Sequence, residues 1–429
     1  MPGVDTPSTY RILDIDTVPG FIGSLPEIRA LLGGQPESWR VHEVGDGNLN
    51  LIFIVQGRDG SVCVKQALPY VRVAGASWPM TLERAFFEAS YYSAVAPYVG
   101  GLIPKLYHYD PELYCTVMEC LSPHIILRRG LIAGRGYPNA ARDVGEYIAR
   151  ASFFTSDLAR PFEHKLDGIA LFARNKALVR ITVDLVFCDP YRLNQRNRHT
   201  SPQLDDIVAD LRGDGRLKVA AAYFGQKFLN EVQALVHGDL HSGSVMVTEG
   251  DTRVIDPEFA FYGPIGFDLG AFLGNLLLSW YSQPGYATQQ DNRIAYQRWI
   301  LEQAKTFWES FRRSFLALWA TNAYGDVFPV SMFARPEEAT TLELARSAFV
   351  DGLFADMLGF GACKMIRRIV GFAHVIDFDG IRDATVRAGC EAEALAMART
   401  LLSHPTQFRS IQDVIDAVPR MVRHSQVTA

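Results

Sequence analysis

WRVHEVGDGNLNLIFIVQGRDGSVCVKQA, residues 39–67, shows how the N-terminal part of this chain is built. Apolar and polar residues alternate in LNLIFIVQ (49–56) and SVCVKQ (61–66), the period of a strand with one buried face. Arg58-Asp59-Gly60 between them is a hairpin turn signal, and Gly45-Asp46-Gly47-Asn48 divides them from an earlier strand. The reading is an antiparallel meander. Glycines at 45 and 47 permit positive φ and let backbone N–H groups approach an anion, although G-x-G taken alone is more often a plain hairpin turn. A strand follows these glycines rather than a helix, which disfavours a Rossmann dinucleotide site, and the G-x-x-x-x-G-K-[ST] phosphate loop is absent.

Outward from this meander, residues 80–98 have helical spacing with Thr81 as a cap, and strands are predicted at 105–109 and 114–119. Beyond Leu121 the pattern turns mainly helical, interrupted by strands at 244–248 and 252–256, with long amphipathic helices at 292–319 and 345–374. Residues 1–38 form a leader with a helix near 24–32. The expected fold is α+β and bilobal, with a small antiparallel β-rich lobe over 1–120 and a larger helical lobe over 121–429. A length of 429 residues suits two such lobes better than one core. The net charge of −5 argues against nucleic-acid or anionic-membrane partners. Six scattered cysteines without a C-x-x-C pair, and no basic-apolar leader, point to a reduced cytoplasmic protein. AFLGNLLLSWY (271–281) is too short to span a bilayer and reads as a buried helix.

Four constellations carry chemistry, the first being the glycine turn Gly45-Asp46-Gly47-Asn48-Leu49-Asn50. Lys65 ends the apolar run Val62-Cys63-Val64, and Glu88 lies on the following helix, with Glu83 a competitor for its role. Glycine loop, strand lysine and helix glutamate in that order form the phosphate-holding set of protein-kinase-like enzymes. His237-Gly238-Asp239-Leu240-His241 parallels H-R-D-L-x-x-x-N, with Asp239 as the base. Glycine replaces the arginine, and Ser244 stands where the asparagine would be. A His-x-Asp-x-His metal site is the weaker reading, since no further ligands follow at zinc-like spacing. Finally, Asp256-Pro257-Glu258 places two carboxylates at i and i+2, on one side of an extended segment and suited to Mg²⁺, with Asp268 left a structural role.

HGDLHSGS, DPEFAFYGPIGFD (256–268), NRHTSPQLD (197–205), RRGLIAG (128–134) and KMIRRIVG (364–371) together resemble the 5-methylthioribose kinase family, whose relatives include aminoglycoside phosphotransferases and choline kinases. The resemblance implies an ATP- and Mg²⁺-dependent kinase of the anomeric hydroxyl of 5-methylthioribose, serving methionine salvage as a homodimer. It implies Asp239 as base, Asp256 and Glu258 as metal ligands, and Lys65 on the nucleotide phosphates. Gly45, Gly47, Asn48, Asn50, Glu88 and Pro257 would belong to the nucleotide site. Glu119-Cys120-Leu121 would be the hinge whose backbone binds adenine. Arg367 and Arg368 resemble a twin-arginine substrate contact. Neighbours on a helix diverge by about 100°, so one would reach the sugar and the other anchor a wall. Trp78 would close over the sugar or pack as core. The rivals are a kinase of another small alcohol and a nucleotide-binding pseudokinase.

Overall fold

The computed structural model describes residues 7–45, 49–71 and 75–427. Strands β1 (Arg40–Glu43), β2 (Asn50–Gln56), β3 (Ser61–Ala67), β6 (Leu106–Asp110) and β7 (Cys115–Glu119) form one antiparallel sheet in the order β1-β2-β3-β7-β6. Between β3 and β6, β4 (Tyr70–Val71) pairs with β5 (Gly75–Pro79), and the Arg84–Val99 helix follows. The register sets Phe53 opposite Val64 and Ile52 opposite Lys65. Side chains alternate across a pleated strand. Phe53, Val55, Val62, Val64 and Val117 therefore share one buried face, while Lys65 points to the other.

The leader covers that apolar face. It has two short helices, Val18–Gly23 and Pro26–Leu32, where the sequence suggested one, because Pro26 opens a second helix at its first turn. Val18, Ile22, Ile28 and Leu32 pack on Phe53, Val55 and Val64.

After β7 the chain is mostly helical. The three-stranded sheet β11-β10-β8 (Thr252–Val254, Val245–Val247, Ile125–Ile126) and the pair β12-β9 (Phe261–Gly263, Ala234–Val236) hold the loops that carry the site. Residues of the Ile265–Ser282 helix are buried along its whole length, so it is apolar on nearly every face. Its Gly266, Gly270 and Gly274 let the Pro336–Val370 helix approach to backbone contact; a Cβ on Gly270 would lie 2.5 Å from the Gly361 nitrogen. Pro336–Val370 begins nine residues before the expected start at 345, because Pro336 is preorganised for a first turn and the Glu338 carboxylate accepts the Arg335 N–H at 3.0 Å. It ends at Val370, four residues before the expected end, with Gly371 as its C-cap. Among the described residues, no helix is long and apolar enough to cross a membrane.

Candidate active site

Strand parity delivers Lys65 to the Arg84–Val99 helix, where its Nζ lies 2.9 Å from Glu88 Oε1 and 2.8 Å from Oε2. It also donates to Asp256 Oδ1. Burial opposes the ammonium charge, but Asp256, Glu88 and Glu258 outweigh it and hold the Lys65 pKa well above its usual value. Burial pushes the Glu88 carboxyl up, with Lys65 pulling the other way. Glu83, the competitor, instead pairs with Arg174 at 2.7 Å.

One turn before Glu88, Arg84 is fully buried. Its Nη1 donates to Leu68 O (2.8 Å) and Thr81 O (2.6 Å), and its Nη2 to Leu49 O (2.5 Å) and Asn50 Oδ1 (3.1 Å). Its Nε forms an ion pair with Glu258 Oε2 at 3.2 Å, and that oxygen accepts a hydrogen bond from Asn50 Nδ2 at 3.2 Å. Arg84 thus ties the start of β2 to Glu258. A signal for it existed: residues i and i+4 share a helix face, so Arg84 was readable as a neighbour of Glu88.

Asp256 and Glu258 do converge, but not through an extended backbone. The strand ends at Val254, and Asp256 has φ +70°, a left-handed conformation uncommon for aspartate and disfavoured before proline. Its N–H donates to the Tyr92 hydroxyl at 3.0 Å. Pro257 links the two carboxylates. Two hard oxygen donors with one partly exposed carboxylate, Asp256 at 44% side-chain exposure, fit a Mg²⁺ ion shared with nucleotide phosphates.

The other residues expected at the nucleotide lie, where described, at the ends of strands. Gly45 is in the turn after β1 and Asn50 opens β2, while Gly47 and Asn48 lie outside the described residues. Glu119 ends β7, where its Oε2 lies 3.2 Å from Arg253 Nη1; Cys120 and Leu121 lead out of the sheet.

The His237 loop is fixed from behind by Asp268. Its Oδ2 accepts the His237 N–H at 2.6 Å and its Oδ1 the Gly238 N–H at 3.0 Å. Gly238 has φ +83°, and a Cβ there would lie 2.2 Å from the Phe259 carbonyl oxygen, so no arginine fits this position. Ser244 donates to the Asp239 carbonyl at 3.0 Å, closing the loop. The Asp239 carboxylate faces outward from it. Lys364 Nζ lies 2.7 Å from Oδ1, and His241 Nε2 lies 3.4 Å from Oδ2. Although burial disfavours its charge, Lys364 and His241 hold the Asp239 pKa well below the usual carboxylate range. Burial pushes His241 down to about 3.

Lys364, Arg367 and Arg368 share one face of the Pro336–Val370 helix, at i, i+3 and i+4. Arg367 Nε and Nη1 and Arg368 Nε are buried without hydrogen-bond partners among the described residues, and Arg368 Nη1 donates to Ala373 O at 3.3 Å. Burial lowers the pKa of both guanidinium groups, against the pull of Asp239. Arg128 stands nearby, its Nη2 2.8 Å from Asn275 Oδ1 and its Nε 3.3 Å from Asp377 Oδ2. The Trp78 ring packs 4.9 Å from that of Phe372, just past the arginines, and Arg196 lies 5.9 Å over it. Arg128, Lys364 and Asp377 escaped the sequence reading. Lys364 was recoverable as the i−4 neighbour of Arg368; Arg128 and Asp377 depend on tertiary contacts that no local pattern encodes.

A buried lysine–glutamate pair beside paired carboxylates, together with a His-Gly-Asp loop, is the architecture of the protein-kinase-like phosphotransferases. Residues 40–307 match the phosphotransferase enzyme family. The chain is 45% identical over 412 residues to methylthioribose kinase of Escherichia coli O45:K1 (strain S88 / ExPEC), covering 96% of this chain and 98% of that one. It is 46% identical to methylthioribose kinase 1 of Oryza sativa subsp. japonica, with 95% and 94% covered. Against the methylthioribose kinase of Geobacillus sp. (strain WCH70) the identity is 39%, with 96% of each chain covered. The chain belongs to the methylthioribose kinase family.

Proposed function

We propose that this protein transfers the γ-phosphoryl group of ATP to the anomeric hydroxyl of 5-methylthioribose, giving ADP and 5-methylthioribose 1-phosphate in the cytoplasmic salvage of methionine. The observation that carries this reading is the set of buried, unpartnered guanidinium N–H groups of Arg367 and Arg368 within electrostatic reach of Asp239. Buried cations of this kind call for hydroxyl or phosphoryl oxygens. They disfavour an aminoglycoside, a polycation, as the acceptor. A second reading, a kinase of another 5-deoxypentose, uses the same residues and differs only at the thioalkyl end.

In this mechanism Asp239 takes the proton of the attacking hydroxyl as the new C–O–P bond forms and the bond to ADP breaks. Lys65, held by Glu88, grips the nucleotide phosphates. Asp256 and Glu258 would hold Mg²⁺, which supplies charge neutralisation on those phosphates when bound. One of Arg367 and Arg368 orients the sugar, and Trp78 covers it. The chain divides at 120/121 into a nucleotide lobe and a catalytic lobe, with the Glu119-Cys120-Leu121 backbone receiving adenine and Gly45, Gly47, Asn48 and Asn50 bordering the phosphates. The working unit in this proposal is a homodimer, as the family resemblance implies.

A coupled ADP-release assay over 5-substituted riboses, aminoglycosides, choline and homoserine tests the assignment. Methylthioribose should give the highest kcat/KM. A higher value for choline or an aminoglycoside, or no alcohol-dependent ADP release, would overturn it.

A further inference from the structure

Lys364 is a buried lysine that the reaction outlined above does not use. Its ammonium group has one carboxylate partner among the described residues, Asp239 Oδ1 at 2.7 Å, and rests 4.6 Å from the centre of the Phe267 ring. An ammonium over an aromatic face is held electrostatically without a second carboxylate. Its neighbours restrict its movement. Three residues earlier, Gly361 lies against Gly270, and added Cβ atoms would lie 2.5 Å from the Gly361 nitrogen and 3.0 Å from the Gly270 carbonyl oxygen. The two helices therefore meet at backbone distance beside Lys364, whose side chain is buried at 4% exposure.

We infer that Lys364 is a positioning residue for phosphoryl transfer: by holding Oδ1 of Asp239 it fixes the carboxylate and leaves Oδ2 to take the proton of the acceptor hydroxyl. This deepens the reading of Asp239 as base and rests on it. The two oxygens are unequally engaged, since the contact from His241 Nε2 to Oδ2 is 3.4 Å, beyond a good hydrogen bond. A lysine suits the task because its compact charge engages one oxygen, whereas the arginine fork matches both. The charged and titratable groups facing Asp239 are Lys364, Arg367 and Arg368 from the Pro336–Val370 helix, His241 from its own loop and Asp256 beyond it. Of these, Lys364 makes the shortest contact and is the strongest favourable influence on the Asp239 charge.

The test compares wild type, Lys364→Met, Asp239→Asn and the double variant, all with the acceptor that gives the highest kcat/KM in the wild type. Lys364→Met should lower kcat by about 10- to 100-fold and leave KM for ATP within about threefold. Loss of the ammonium group makes Asp239 easier to protonate, so the acid limb of the pH–rate profile should move to higher pH by at least about one unit. In the Asp239→Asn background the same change should cost less than about threefold, because the lysine acts through the carboxylate. A kcat within threefold of wild type, an unmoved acid limb, or an undiminished loss in the Asp239→Asn background would overturn the inference. If Lys364→Met fails to bind ATP or melt cooperatively, Lys364→Gln replaces it under the same criteria. Failure of the earlier reading is distinguishable: the wild type itself would then show no alcohol-dependent turnover.

Discussion

Around Lys65 the carboxylates outnumber the cations, and around Asp239 the cations outnumber the carboxylates. On the first side Lys65 and Arg84 meet Glu88, Asp256 and Glu258. On the second, Lys364, Arg367, Arg368 and Arg128 gather about Asp239 and Asp377, while Asp268 is engaged by backbone N–H groups. Uncompensated buried charge is costly, so in the proposed mechanism each side would be completed by a ligand of opposite sign. The first side is suited to a cation arriving with nucleotide. The second is suited to an anion, and the sugar's incoming phosphoryl group is one. Hydrogen bonding differs in degree: four donated hydrogen bonds satisfy the Arg84 Nη atoms and leave only its Nε without one, whereas Arg367 Nε and Nη1 both lack a partner among the described residues.

Asp239→Asn should produce the largest effect on this contrast. Turnover should fall at least ~10²-fold while ATP affinity stays within a few fold, as expected for a positioned base. Near-wild-type turnover in the pure variant would remove Asp239 from the chemistry.

The twin arginines come next and should differ from each other. Arg367→Ala, which removes the guanidinium group with more unpartnered N–H groups, should cost roughly 10- to 100-fold in kcat/KM for the sugar. Arg368→Ala, at the more deeply buried position and bonded to Ala373 O, should show the larger fall in melting temperature. Equal sugar losses with equal melting temperatures would erase the distinction.

Smaller effects probe the scaffold. Gly270→Ala places a Cβ against the Gly361 backbone and should destabilise the fold by about 1–3 kcal/mol, read by denaturant melts. An unchanged midpoint would mean that the helices separate freely. His241 is held near 3 in the folded protein but titrates near its ordinary 6.5 when unfolded. The unfolded chain therefore binds a proton that the folded one refuses, and stability should fall as pH drops from about 6.5 toward 3. His241→Gln should flatten this fall; an unchanged pH dependence would show that His241 protonates normally.

How much of this was legible depends on how local each signal is. The meander from 39 to 67 follows from period-two alternation, and strand parity sends Lys65 to the opposite face from Val64. Glu88 is distinguished from Glu83 in the sequence by its apolar neighbours Phe87 and Tyr91, both buried here. The extended backbone expected at Asp256 and Glu258 is not adopted, because the left-handed aspartate before proline runs against the local preference and is imposed by the surrounding fold. Arg128 and Asp377 meet across 249 positions of sequence, a convergence that local spacing does not reveal.

The central claim is that metal-nucleotide binding and acceptor binding depend on separate, oppositely charged sets of residues. Calorimetric titration of ADP with and without Mg²⁺ into wild type, Asp256→Ala and Arg367→Ala tests it most directly. Mg²⁺ should strengthen ADP binding in wild type and Arg367→Ala to the same extent, within about threefold in Kd, and the gain should be lost in Asp256→Ala. Loss of the Mg²⁺ effect in Arg367→Ala, or its survival in Asp256→Ala, would contradict the account.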